Sequence, residues 1–215
     1  VANLEVRGTR TLDADAVREQ LSPVVGTNIF RADLDQVEAA LGRNPWVKRV
    51  EVSRQLPRTI SIELTEHQAA AIVDLDGLYL ADATGKPFKR LDTSAHEGEG
   101  LPIISGLGRD AYRLAPAAVE AQVRDALAMI NTWHAASRPT VSELHFDARR
   151  AVQLTIADAG LSVRLGALDS PELGAQLERF DLAWKHLSVD ERARARAIHL
   201  DNTTRPDHVT VAFRN

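Results

Sequence analysis

The sequence predicts a two-part α+β protein: a small β-α-α-β-β unit over residues 1–66, then a β-rich domain with long helices over residues 67–215. Three observations carry this. Ile60, Ile62 and Leu64 alternate with Thr59, Ser61 and Glu63, the pattern of a strand buried on one face. Leu34, Val37 and Leu41 recur at i, i+3 and i+7, one stripe of an amphipathic helix. Beyond residue 66, short alternating segments crowd between two longer stretches of helical period.

In the first unit, VANLEVRG alternates through Leu4 and Val6 and ends at Gly8, a short strand. The next segment places Val17 and Leu21 four apart, with Asp13 and Asp15 where acidic groups suit a helix N-terminus, and Pro23 and Gly26 stop it. Asp33 is positioned to cap the second helix, which Gly42 and Pro45 terminate. Val50 and Val52 then share one face of a strand that turns through Pro57 into Thr59–Glu66. Two helices over one face of a small sheet make a two-layer core.

In the second part, AAIVDL and GLYLAD read as strands around Gly77, and DATGK as a turn. LDTSAHEGEGLP is a polar loop, and the segment from Leu114 to Ala136 is the longest helical pattern, with Val119, Val123, Leu127 and Ile130 on one stripe. SELHFD, AVQLTI and LSVRL read as three strands. A second helix begins at Ser170 as N-cap with Pro171 in its first position, and turns Leu173, Leu177, Phe180 and Trp184 inward. AIHLD and HVTVAF finish the chain as strands.

Composition narrows the function classes. Hydrophobic residues make up 44% and charged residues 26% of 215, ordinary for a globular protein. A net charge of −4 offers nucleic acid no basic field. The absence of cysteine removes disulfides and thiolate chemistry. No apolar run approaches the ~20 residues of a membrane span.

Candidate chemistry is sparse. Gly85-Lys86 lacks the upstream glycine of a phosphate loop, where Leu80 stands, and Pro87 replaces its Ser/Thr. The seven histidines are scattered. His145 with Asp147, and His199 with Asp201, each project from one face of a strand, two ligands where zinc needs three or four. A metal-dependent hydrolase on His199, Asp201 and His208 is therefore a remote alternative, and no cofactor motif occurs. Arg192, Arg194 and Arg196 read as a solvated turn, and Asn202-Thr203-Thr204 matches a glycosylation acceptor. The residue-level reading ends at a binding or scaffolding module whose last strand, HVTVAF, lies at a sheet edge able to capture a partner strand.

The first unit, with Gly26, Asn28-Ile29-Phe30, Leu41, Pro45-Trp46-Val47, Val50-Glu51-Val52, Arg54, Pro57 and Glu66, resembles the POTRA domain of the FtsQ/DivIB family of bacterial cell-division proteins. LADATGKPF, LPIISG, ARRAVQLTI, SVRLG and AIHLD resemble, in order, the second domain of that family. The resemblance implies a POTRA domain followed by a β domain with a curved antiparallel sheet and flanking helices. It implies a non-enzymatic scaffold that binds FtsB and FtsL and helps recruit and regulate septal peptidoglycan synthesis. It also implies a periplasmic or extracytoplasmic location behind one transmembrane helix of the inner membrane, preceding this stretch. A POTRA-type chaperone of outer-membrane protein assembly or secretion is the alternative.

The family's mode of partner capture, a strand of FtsB added to the last strand of the β domain, falls here on Asp207, His208, Val209, Thr210, Val211, Ala212 and Phe213. His199, Asp201 and Asn202 flank it, and Arg149 or Arg150 matches an arginine that pairs with an acidic partner residue. Leu200-Asp201-Asn202 stands where the family often has Leu-Arg-Tyr, so an arginine and an aromatic contact are replaced.

Overall fold

The structure is a computed structural model that describes residues 1–157, 159–202, 205 and 208–214. Packing divides it into two units, Val1–Gln68 and Ala69–Asn215.

The first unit runs β1 (Asn3–Arg7), α1 (Ala14–Gln20), α2 (Leu34–Leu41), β2 (Val47–Gln55) and β3 (Thr59–Glu66). The order in the sheet is β1-β3-β2, with β1 parallel and β2 antiparallel to the central β3. Ile60 and Ile62 on β3 are fully buried, packed in one cluster with Val17 and Leu21 around α1 and Val37 and Leu41 of α2. Asp13 and Asp33 cap the two helices through their side chains, accepting from Asp15 N and Gln36 N. At the far end of β2, Arg54 donates to the carbonyls of Ile29 and Ala32 at 2.8 and 2.7 Å, fixing the loop before α2.

The second unit holds β4 (Ala69–Asp74), β5 (Leu78–Asp82), β6 (Pro87–Arg90), β7 (Ile103–Ser105), α3 (Arg109–Leu114), α4 (Pro116–Ala135), β8 (Val141–Phe146), β9 (Ala151–Ile156), β10 (Ser162–Ala167), α5 (Leu173–His186), α6 (Val189–Arg194), β11 (Ala195–His199) and β12 (Thr210–Phe213). Its described strands form one sheet in the order β12-β11-β10-β9-β8-β7-β4-β5-β6. The expected α+β class holds, and the sheet is mixed where an antiparallel one was expected. β4–β7, β7–β8 and β10–β11 run parallel, because the chain returns between them through the loop after β6, through α3 and α4, and through α5 and α6.

Register turns alternation into two rows across this sheet. Val73, Ile104, Leu144, Leu154, Val163 and Ile198 are successive partners, all fully buried, and Val211 on β12 ends the row. They share a cluster with Val123, Ile130 and Trp133 of α4 and Phe180 of α5. Trp133 and Phe180 meet at 4.6 Å between centroids, and Phe180 stacks on Trp184 at 5.7 Å. One residue along each strand, Ser105, His145, Gln153, Arg164, His199 and Thr210 form the polar row of the opposite face. Gly106, at φ 80°, lies so close to Phe146 that a Cβ there would strike its carbonyl.

Besides the mixed sheet, three sequence expectations are corrected and two strands are added. α5 starts at Leu173 with Glu172 at its N-cap, and Ser170 instead accepts the Glu172 N–H at 3.2 Å one turn earlier. Arg192 and Arg194 lie in α6, where Arg192 sits 5.1 Å over the Trp184 ring and donates to its carbonyl. β6 and β7 were not anticipated as strands. The last strand is shorter than expected: His208 and Val209 precede β12, and Asp207 lies outside the described residues.

Candidate functional site: the edge at strand β12

Among the described strands, nothing pairs outside β12. Its hydrogen-bond directions follow from its neighbours. Leu200 N–H reaches back to Arg164 O on β10 at 2.9 Å, so by alternation His199 faces β12 with both backbone groups. His199 partners Thr210, and Arg214 N–H donates to Arg194 O at the strand's end. The N–H groups of Thr210 and Ala212 are therefore used within the sheet, whereas those of Val211 and Phe213 point off its edge. A register shift between Ala195 and Ala197 places a bulge opposite Ala212, without changing this outward pair.

Side chains divide by face. Val209 and Val211 lean into the core cluster, and Thr210 and Ala212 are exposed. Phe213 is 42% exposed and does not belong to that cluster, although its partner Ala195 is fully buried.

The flanking residues gather at the end of the sheet where β12 begins. Asp201 Oδ2 lies 3.5 Å from Arg164 Nε and its Oδ1 lies 4.0 Å from His199 Nδ1. Arg164 is the cation that sequence reasoning passed over. It faces His199 from β10 and supplies a guanidinium beside Asp201. Asn202 Oδ1 accepts Arg205 N–H at 3.0 Å; Thr203 and Thr204 of the acceptor sequence, and Pro206, lie outside the described residues. Beside this end, a cavity of about 370 Å³ is lined by Ser170, Gln176, Asp201 and Asn202. Gln176 there donates to Leu200 O at 3.2 Å.

Arg149 and Arg150 occupy the β8–β9 turn, at the same end of the sheet but three strands in from the edge, roughly 14 Å by strand spacing. A strand lying outside β12 does not reach them; only a segment continuing past the end of the sheet does. The two also differ. Arg150, at φ 63°, points its guanidinium at α4, where Gln122, in the amide orientation that satisfies both groups, accepts from it at 2.7 and 3.1 Å. Arg149 is exposed, and among the described residues its side chain forms no ion pair.

The arrangement nearest to a catalytic constellation is Ser105, whose Oγ donates to Glu143 at 2.5 Å and meets His145 Nδ1 at 2.8 Å. A nucleophile needs a base held by a third group. Here carboxylate and imidazole both act on the hydroxyl, and the cluster ties β7 to β8. His145 thus bonds across strands, and Asp147 instead accepts the Arg149 and Ala151 N–H groups of the turn. Among the described residues no three His, Asp or Glu side chains converge on a metal position, and no helix is long and apolar enough to cross a membrane.

Two family models match the chain: "POTRA domain, FtsQ-type" over residues 1–67, and "Cell division protein FtsQ/DivIB, C-terminal" over residues 69–201, a match that ends short of β12. Curated relatives carry the name "Cell division protein FtsQ". The one from Anaeromyxobacter sp. (strain K) is 38% identical over 89% of this chain and 64% of its own length. Those from Myxococcus fulvus and Geotalea daltonii are 36% and 33% identical, each over 86% of this chain, and over 64% and 67% of their own lengths. The chain thus spans about two thirds of the length of these relatives.

Proposed function

We propose, on the premise that this chain belongs to the FtsQ/DivIB family of cell-division proteins, that it is a non-enzymatic scaffold of the division complex that captures FtsB by strand addition at β12. FtsL is held in the same assembly, and docking helps to recruit and regulate septal peptidoglycan synthesis outside the cytoplasmic membrane, with the protein anchored there by one helix. The observation that carries this reading is the outward pair of backbone donors on Val211 and Phe213. Strand addition draws affinity from such backbone groups and specificity from alternate side chains. An incoming strand with an apolar residue opposite Val211 extends the buried row by one strand, and Phe213 offers an exposed aromatic surface beside it. Arg164 supplies the cation for an acidic residue of the partner, in place of the arginine replaced by Asp201.

The test is a titration of this chain with the extracytoplasmic segment of FtsB from its own organism, read by backbone amide shifts. Shifts centred on Thr210–Phe213, with slowed exchange of the Val211 and Phe213 amides, are expected. A silent β12 in a saturated complex overturns the mechanism.

A further inference from the structure

The opposite edge of the same sheet carries a second site. β6 is the outermost strand there, eight strand spacings from β12, roughly 38 Å along the sheet. Between it and α3 lies a cavity of about 390 Å³. Tyr79, Phe88 and Tyr112 supply aromatic wall, and Arg90, Arg109 and Arg113 bring three guanidiniums to its lining. The geometry is set by short-range rules: Arg109, Tyr112 and Arg113 share one face of α3 at i, i+3 and i+4, and Arg90 is the ladder partner of Tyr79.

The neighbouring carboxylates already hold hydrogen-bond or ion-pair partners. Glu97 holds Lys89 at 2.5 Å, Glu120 accepts the Tyr112 hydroxyl at 3.1 Å, and Asp76 accepts the Arg109 backbone N–H at 3.2 Å. Burial, and then the bond to Glu120, push the Tyr112 phenol above its usual range, so it remains a neutral donor. Asp110 lies on α3 but does not line the cavity. The Arg109 guanidinium donates to the neutral Tyr79 hydroxyl at 3.2 Å, and among the described residues Arg90, Arg109 and Arg113 form no ion pair. Three guanidiniums without an ion pair among the described residues, around an aromatic cavity, are complementary to carboxylates carried on an apolar scaffold.

We infer that this cavity docks an acidic peptide segment of another protein, an apolar side chain entering between Tyr79 and Tyr112 while flanking carboxylates pair with Arg90 on one wall and Arg109 and Arg113 on the other. Recognition here is by side chains. β6 is four residues long and opens with Pro87, features that blunt an edge against strand addition. The site shares no residue with the β12 edge and takes a separate partner.

The experiment uses a fluorescently labelled synthetic peptide of alternating Glu and Leu, its Gln-for-Glu counterpart, and hyaluronate as an anionic glycan competitor, read by anisotropy against the whole chain. The Glu peptide is expected to bind and the Gln peptide to bind at least about tenfold more weakly, a difference of about 1.4 kcal/mol. The exposed substitutions Arg90→Glu and Arg113→Glu each lower Glu-peptide affinity by about as much, and Val211→Pro leaves it unchanged. Equal binding of the two peptides, indifference to both charge reversals, loss on Val211→Pro, or displacement by hyaluronate of a peptide that otherwise binds no better than it, each overturns the inference.

Discussion

Val211 stands opposite Ile198 in the β11–β12 ladder and is the last side chain of an apolar row that crosses the sheet. Its backbone N–H points away from that ladder, whereas the N–H of Thr210 points into it. Proline at the two positions therefore separates binding from folding. Val211→Pro removes an outward donor and keeps the sheet's own bonds; it is expected to weaken the FtsB segment about tenfold or more with a melting temperature near that of the unmodified chain. Thr210→Pro removes an internal ladder bond and lowers both. Calorimetric titration with parallel thermal melts reads the pair, and a Val211→Pro chain that binds normally removes strand addition at this edge.

Charge at the end of the sheet gives a second contrast. Arg164 and Asp201 are partly exposed, at 43% and 25% of their side chains, and an ion pair in that setting contributes little to stability. Arg164→Glu is expected to lower affinity for FtsB several-fold with the fold retained. Arg149→Glu lowers it only when the FtsB segment is long enough to run past the sheet end, because three strands separate that arginine from the edge. Titrations with a short and a long FtsB segment distinguish the two, and full affinity in Arg164→Glu removes it from the interface.

Most of the fold was legible where a strand or helix is long enough for its period to repeat. Ile60, Ile62 and Leu64 on β3, and Val152, Leu154 and Ile156 on β9, announce their buried face within a few residues. β6 was not legible because PFKR opens with proline and alternates nothing, and β7 because IIS is three residues long. Parallel pairing was hidden too, since it depends on how α3 to α6 carry the chain back. At the edge, the run from Val209 to Phe213 could be read, but Arg164 could not. Its place beside Asp201, far along the chain, is reached only through the parallel β10–β11 register.

An aromatic stack lies within the core cluster of the second unit. Phe180 is fully buried between Trp133 and Trp184, and Arg138, which covers Trp133 at 5.3 Å, is tied to Asp181 at 2.7 and 2.8 Å. Phe180→Ala is expected to cost about 3–5 kcal/mol through lost transfer energy and the cavity left behind. Phe180→Leu should recover more than half of that. Urea denaturation followed by tryptophan fluorescence measures both, and a loss under about 1 kcal/mol in the alanine variant contradicts the packing described.

Glu66 closes the first unit. Only 9% exposed at the end of β3, its carboxylate accepts the backbone N–H groups of Arg10, Thr11 and Leu12 at 2.8, 2.7 and 3.1 Å. Burial alone raises its pKa, but the three donors and the Thr11 side chain together outweigh it and hold the group below its ordinary value. A carboxyl depressed in the folded state contributes stability that is present above its unfolded pKa, about 4.3, and is lost as pH falls through the folded value. The first unit should therefore weaken progressively below about pH 4.3. Glu66→Ala leaves three donors unpaired and is expected to cost about 2–3 kcal/mol at neutral pH. Glu66→Gln, which keeps one acceptor oxygen but no charge, should cost less and flatten the acid limb of the stability curve. Amide exchange at Ile60 and Ile62, followed across pH in the three chains, reads this directly, and an acid limb as steep in the glutamine variant as in the unmodified chain would assign it to other carboxylates.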